Sequence, residues 1–335
     1  MGAHVNTCFY SVNGLQIWME EKEILTLSPY DNFMYALSAE TTKRQYPNRL
    51  DRFLSFIGLK GSIQEKCNGL YEISKNKDIL YLHLIRFINF QKVRIQNKEI
   101  TEATLRNYVK TIKLFCSMND IMINWKKISK GIPPMKNYSD DRIPTIDEIH
   151  KLLEHPDRRI RVIVLVMLSS GIRVGSWDYL QWKHVIPIER DSIVVAAKLV
   201  VKNTKINNRS YCTFITPEAF ETLKNWMDFR ELHGETITGE SWLIRDTWQK
   251  LDRKRSHYTG LARFPNKIGS LSIKNMIYDA WKIQGVRQKL LEPGNKRHDF
   301  KSTHSFRKFF ETKCQMAKMN HNNIKLLMDQ LLYNE

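Results

Sequence analysis

The chain is poor in the features that would place it at a membrane or outside the cell. No apolar run approaches the roughly 18 residues needed to cross a bilayer. The longest, Val162 to Leu168, suits a buried helix segment. Residues 1–10 lack a basic start followed by an apolar stretch, so no secretory signal is expected, and Asn6 stands where a myristoylation signal needs Ser or Thr. Only five cysteines occur (Cys8, Cys67, Cys116, Cys212, Cys314), widely scattered and without a CxxC pair. That pattern excludes a disulfide framework or a cysteine metal knuckle and implies reduced thiols in a cytoplasmic protein. A P-loop, a metal-ligand spacing, an internal repeat and a low-complexity tract are all lacking. The sequence thus offers no motif for a metal or nucleotide cofactor.

Acidic residues are also in short supply, 35 against 53 Lys+Arg, which leaves a formal net charge of +18. An excess of that size points to a polyanion, because Lys/Arg surfaces bind nucleic acid by releasing its counterions. Residues 1–135 carry 19 basic and 12 acidic residues, and Arg245 to Lys308 carries 16 and 5. The rest of the chain is neutral. The candidate DNA contacts in the second stretch are Arg253, Lys254, Arg255, Lys296, Arg297 and Lys308.

At 335 residues the length suits two domains. The boundary reads from Gly131-Ile132-Pro133-Pro134 through Ser139-Asp140-Asp141, a run that stops a helix and continues extended. The expected division is an N-terminal extension (1–34), a helical domain (35–130), a linker (131–142) and a second domain (143–335). In the first domain, Tyr46, Leu50, Phe53, Leu54 and Ile57 recur at helical spacing, with Pro47 placed in an early turn. A second stripe runs from Leu80 to Phe90. A third helix opens at Thr101, with Leu105, Tyr108, Ile112 and Phe115 on one face and Arg106, Lys110 and Lys113 on others. Basic faces of this kind suit a module lying along DNA, with these three as candidate contacts, and equally suit any small helical bundle.

In the second domain an apolar helix from Arg161 ends at Ser170-Gly171, and Arg173 follows directly. Ile193 to Val201 and Tyr211 to Ile215 read as strands joined by a polar turn from Lys202 to Arg209, which contains Lys205. A further helix opens at Pro217. In the mainly helical tail, His304 and Arg307 stand three apart, on one helix face. An arginine after a helix-ending glycine can aim a planar fork at a phosphate, although it can equally cap carbonyls.

The order of these parts is more specific than any one of them. Ser169-Ser170-Gly171-Ile172-Arg173 through Leu180-Gln181-Trp182-Lys183-His184-Val185, the lysine hairpin, and Thr303-His304-Ser305-Phe306-Arg307-Lys308 together resemble the tyrosine recombinase (phage-type integrase) family, especially its archaeal integrase-like members. The resemblance covers about residues 35–332. It implies a mainly α fold with a small β-hairpin or sheet, made of a helical core-binding domain and a C-terminal catalytic domain. It also implies site-specific cleavage and rejoining of double-stranded DNA through a 3′-phosphotyrosyl link, by a homo-oligomer that forms a tetramer on paired sites. It implies that no metal or nucleotide cofactor is needed. Arg173 and Arg307 match the two arginines that stabilise charge on the phosphate. Lys205, or alternatively Lys202, matches the lysine that protonates the leaving 5′ oxygen. His304 matches a general acid/base or phosphate ligand.

The tail departs from the family pattern. In Met328-Asp329-Gln330, Gln330 stands where the family's Leu-Gly-His-like signature has its histidine. The usual spacing then carries the nucleophile past residue 335, as in a truncated chain, and Tyr333 is the only tyrosine in the tail. Either Tyr333 or a downstream tyrosine is the expected nucleophile. Without one, the chain would be a recombinase-derived DNA-binding protein. Ser176 also departs, where the family often has Glu beside the first arginine. A type IB topoisomerase uses a similar constellation, but the helical first domain and compact hairpin favour the recombinase.

Overall fold

In the computed structural model the residues described are 9–12, 15–18, 27–135, 142–203, 209–246, 266–287 and 298–330. The chain divides into two compact units, Met1–Asn137 and Tyr138–Glu335. It is mostly helical, with one three-stranded antiparallel sheet in the second unit.

The first unit begins with two short strands, β1 (Phe9–Val12) and β2 (Leu15–Trp18), paired antiparallel with Val12 opposite Leu15. The sequence reading had residues 1–34 only as an extension and missed this hairpin, although Asn13-Gly14 is a hairpin signal in the sequence. Helices α1 (Pro29–Tyr35), α2 (Glu40–Phe56), α3 (Ile63–Ser74), α4 (Lys77–Gln96), α5 (Glu102–Met118) and α6 (Trp125–Lys130) follow. Pro47 lies inside α2 rather than in its first turn. It removes one backbone donor, yet the helix continues because the next turns bury Leu50, Phe53 and Leu54 completely. Phe87 packs edge-on against Phe53 and Tyr108, at 5.2 and 5.9 Å between ring centroids, locking α2, α4 and α5 together. Thr101 caps α5 by accepting from Thr104 N. That helix buries Leu105, Tyr108, Ile112 and Phe115 and exposes Arg106, Lys110 and Lys113.

The second unit is built around α8 (Arg158–Ser170), which follows the short α7 (Ile146–Leu153). Ile160 and every residue from Val162 to Met167 are buried, as befits a helix apolar on all sides. Two 3₁₀ turns then lead into β3 (Val185–Arg190), β4 (Ile193–Asn203) and β5 (Arg209–Ile215), in the order β3-β4-β5. β3 is a strand that the sequence reading missed, because Pro187 and Glu189 break its pattern. Lys202 lies within β4, opposite Ser210, and not in the turn. Alternation along the sheet buries Ala197, Leu199, Val201, Thr213 and Ile215. Helices α9 (Pro217–Leu232), α10 (Ser270–Ile283), α11 (His304–Met316) and α12 (His321–Leu327) complete the unit. Asp178 caps α10 from 92 residues upstream, accepting from Ser270 N at 2.7 Å and from its hydroxyl at 2.8 Å.

Candidate phosphate-binding site

The site is assembled where α8 stops. Gly171 has φ +63°, and a Cβ there would stand 2.5 Å from a ring carbon of Phe310 on α11. Only glycine ends the helix at that place without moving Phe310. The Thr213 hydroxyl donates to Ser170 O at 2.8 Å and ties β5 to the same turn. One helix end, one strand and α11 therefore converge on Gly171-Ile172-Arg173.

Arg307, in the first turn of α11, is 4% exposed. It donates to Gly171 O at 2.6 Å and to Met328 O. Burial, reinforced by the neighbouring Arg173 charge, pulls its guanidinium down to about 10. Arg173 has a side chain 47% exposed. Its Nη1 donates to Asp329 Oδ2 at 3.0 Å and its Nη2 to Asp329 O at 3.2 Å. Two guanidiniums 134 positions apart in the chain thus grip consecutive residues of one turn, the turn that follows α12. Tyr211 of β5 is near enough to feel both charges. Its hydroxyl is buried without a hydrogen bond of good geometry, and burial raises its pKa against the opposing pull of Ser176, Arg307 and Arg173.

His304 opens α11 and is exposed, one turn before the buried Arg307, and Lys308 is half-buried. Lys202 is exposed on β4. His184, whose Nδ1 accepts from Gln181 N at 3.0 Å, has its pKa lowered by burial and then by Lys183 and Lys202. The structure therefore brings Arg173 and Arg307 together. Lys205, Tyr333, Arg253, Lys254, Arg255, Lys296 and Arg297 lie outside the described residues.

Two members of this cluster escaped sequence reading. Tyr211 reads only as an alternating strand residue. Asp329 carried a signal, since it occupies the glycine position of the Leu-Gly-His-like signature, and its φ is +49°.

Among the described residues of the basic stretch from Arg245 to Lys308, not every cation faces solvent. Arg245 is completely buried, with Nε 2.6 Å from Glu235. Arg287 donates to Phe300 O at 2.7 Å and lies against the Tyr278 and Phe300 rings. Lys267 sits 4.6 Å from the Trp242 ring centroid. Arg245 is thus withdrawn from solvent altogether and Arg287 in part, whereas Lys267 remains exposed beside its aromatic neighbours.

No family model matches the sequence, and no curated protein does. Solved structures do match. A Tn1549 transposon integrase, in complex with transposon right end DNA, aligns with a TM-score of 0.57 at 14% identity, over 90% of this chain and 91% of that one. A lambda integrase dimer bound to a COC′ core site aligns with a TM-score of 0.55 at 15% identity, over 90% of each chain. The chain has the fold of the tyrosine-recombinase integrases. Among the described residues, no helix is long and apolar enough to cross a membrane.

Proposed function

We propose that this protein is a DNA recombinase that cleaves and rejoins strands through a 3′-phosphotyrosyl intermediate. The observation that carries the reading is the convergence of Arg173 and Arg307, from distant parts of the chain, on one turn of the second unit. Two guanidiniums held together despite mutual repulsion suit an anion whose charge grows during reaction. A tyrosine oxygen would attack the phosphorus, the bond to the 5′ oxygen would break, and that oxygen would take a proton from Lys205 or Lys202. The phosphodiester energy is kept in the tyrosyl ester, so rejoining needs no nucleotide. His304, exposed at the start of α11, would hydrogen-bond the phosphate or shuttle a proton.

In this reading residues 35–130 grip the duplex as a core-binding domain, with Arg106, Lys110 and Lys113 on its backbone, and residues 143–335 carry the chemistry. Lys308 and the basic residues at 253–255 and 296–297 would add backbone contacts. Assembly on paired sites would make the working form a homo-oligomer; the lambda integrase match is itself a dimer on its core site.

The test is covalent trapping. Duplexes are selected from a random pool by binding, nicked near the bound centre, and incubated with the full chain. A denaturation-resistant protein–DNA adduct is expected. Salt-sensitive binding with no adduct would sink the catalytic reading and leave a recombinase-derived DNA-binding protein. An adduct that survives Tyr333→Phe would exclude Tyr333 as the nucleophile. Relaxation of supercoiled plasmid without exchange of ends would point instead to topoisomerase chemistry.

A further inference from the structure

Asp329 sits under the more exposed of the two arginines. It lies in the turn after α12, where Asp329 N donates to Leu326 O at 3.1 Å and Gln330 N to Lys325 O at 2.8 Å. Arg307 holds the preceding carbonyl, Met328 O. The turn is thus fixed from two sides. At φ +49°, Asp329 is in the left-handed region that aspartate tolerates better than most residues. From that position it offers Arg173 two acceptors at once, its carboxylate at 3.0 Å and its own carbonyl at 3.2 Å. The Asp329 side chain is 10% exposed and that of Arg173 is 47% exposed, so the acid lies beneath the base. Both hydrogen bonds use the Nη1/Nη2 end of the guanidinium. Among the described residues, none accepts a hydrogen bond from Arg173 Nε.

We infer that Asp329 is a positioning residue for Arg173. It ties down the Nη1/Nη2 edge of the guanidinium and leaves the Nε edge of a half-exposed side chain for a phosphate. A long, flexible side chain is thereby set before the anion arrives, which removes reorganisation from the reacting step. The inference rests on the reading of Arg173 as a phosphate ligand.

The test uses the full chain with Asp329→Asn, which keeps shape and left-handed tolerance but loses the charge. Asp329→Gly takes the same φ without strain and serves if the Asn turn is disturbed. Asp329→Glu restores a carboxylate. The first readout is the ¹⁵N relaxation of Arg173 Nε in DNA-free protein, with Arg307 Nε as internal control. The Asn and Gly variants keep the backbone carbonyl at 329 but lose the carboxylate, so they should measurably raise the mobility of Arg173 and leave Arg307 rigid, and Glu should recover part of the order. The second readout is the adduct on the nicked duplex, expected to fall tenfold or more while duplex affinity is not weakened. An unchanged Arg173 signal overturns the inference. So does a rise in adduct formation, which would mark the carboxylate as a competitor of the phosphate. If the unmodified chain forms no adduct, the strand-transfer reading fails separately, and the relaxation result alone judges the role of Asp329.

Discussion

At the scale of single residues, the two arginines have different environments and should fail differently. Arg173 is half exposed and makes its hydrogen bonds at the end of its fork, so Arg173→Ala should leave the fold intact. Adduct formation should fall by roughly 10²–10³, the cost of losing one donor to a developing anion, while duplex affinity falls much less. Equal losses that trace to unfolding would remove Arg173 from the chemistry. Arg307 is a structural cross-link as well as a charge, joining Gly171 O to Met328 O. Gly171 carries a separate prediction. Gly171→Ala combines a φ of +63° with a 2.5 Å approach to Phe310. It should cost at least about 1–3 kcal/mol in thermal or urea unfolding, and a loss under about 0.5 kcal/mol would show that the turn relaxes freely.

Between elements, buried ion pairs do the joining. In the second unit Glu235 lies between Arg230 and Arg245, whose side chains are each 1% exposed. Arg230 also donates to Trp242 O at 2.7 Å, so the network ties the end of α9 to the segment after it. Glu235→Ala would leave two guanidiniums buried without their counter-charge. A loss of about 3–5 kcal/mol is expected by urea unfolding, and a value near zero would mean that water reaches the pair. Arg142 meets Glu148 at 2.6 Å and Asp299 at 2.5 Å, joining the start of α7 to the segment before α11. The Arg142 hydrogen bond is the main cause that holds the Glu148 carboxyl below its usual 4.5. A depressed carboxylate contributes stability that is complete above its unfolded pKa and is lost as pH falls through the folded value. Thermal unfolding from pH 6 downward should show this loss beginning below about pH 4.5, and Glu148→Gln should flatten that part of the curve. Parallel curves for the two proteins would count against the linkage.

For the whole molecule, the charge excess has to be divided into cations that face solvent and cations that hold the protein together. Arg106, Lys110 and Lys113 fall along one exposed side of α5, three and four residues apart. Replacing all three by Gln should lower the slope of log affinity against log salt by about 0.9 for each phosphate that is no longer neutralised. Replacing Arg245 should instead leave the slope unchanged and lower stability, because its side chain is buried against Glu235 and does not face solvent. An unaltered slope in the triple variant would make the α5 face a solvated surface only.

Much of this organisation is local and was therefore legible in the chain. The helical stripes of Leu50, Phe53 and Leu54 and of Leu105, Tyr108 and Ile112 follow from periodicity. The end of α8 follows from Gly171, and the β4–β5 hairpin from a β-branched run and a polar turn. The class of fold and the choice of Arg173 and Arg307 came from the family resemblance that the order of these segments carries. What tertiary structure alone decided is which groups meet. No local pattern tells that Arg307 would be buried against Gly171 O, that Tyr211 would come within the field of both arginines, or that Asp178 would cap a helix 92 residues away. Nor could composition tell that Arg245 belongs to the core, since burial depends on a partner, Glu235, supplied by the fold. Asp329 shows the division most clearly: its presence at a glycine position is visible in the sequence, but its grip on Arg173 exists only because the chain brings residues 156 apart to within 3.0 Å.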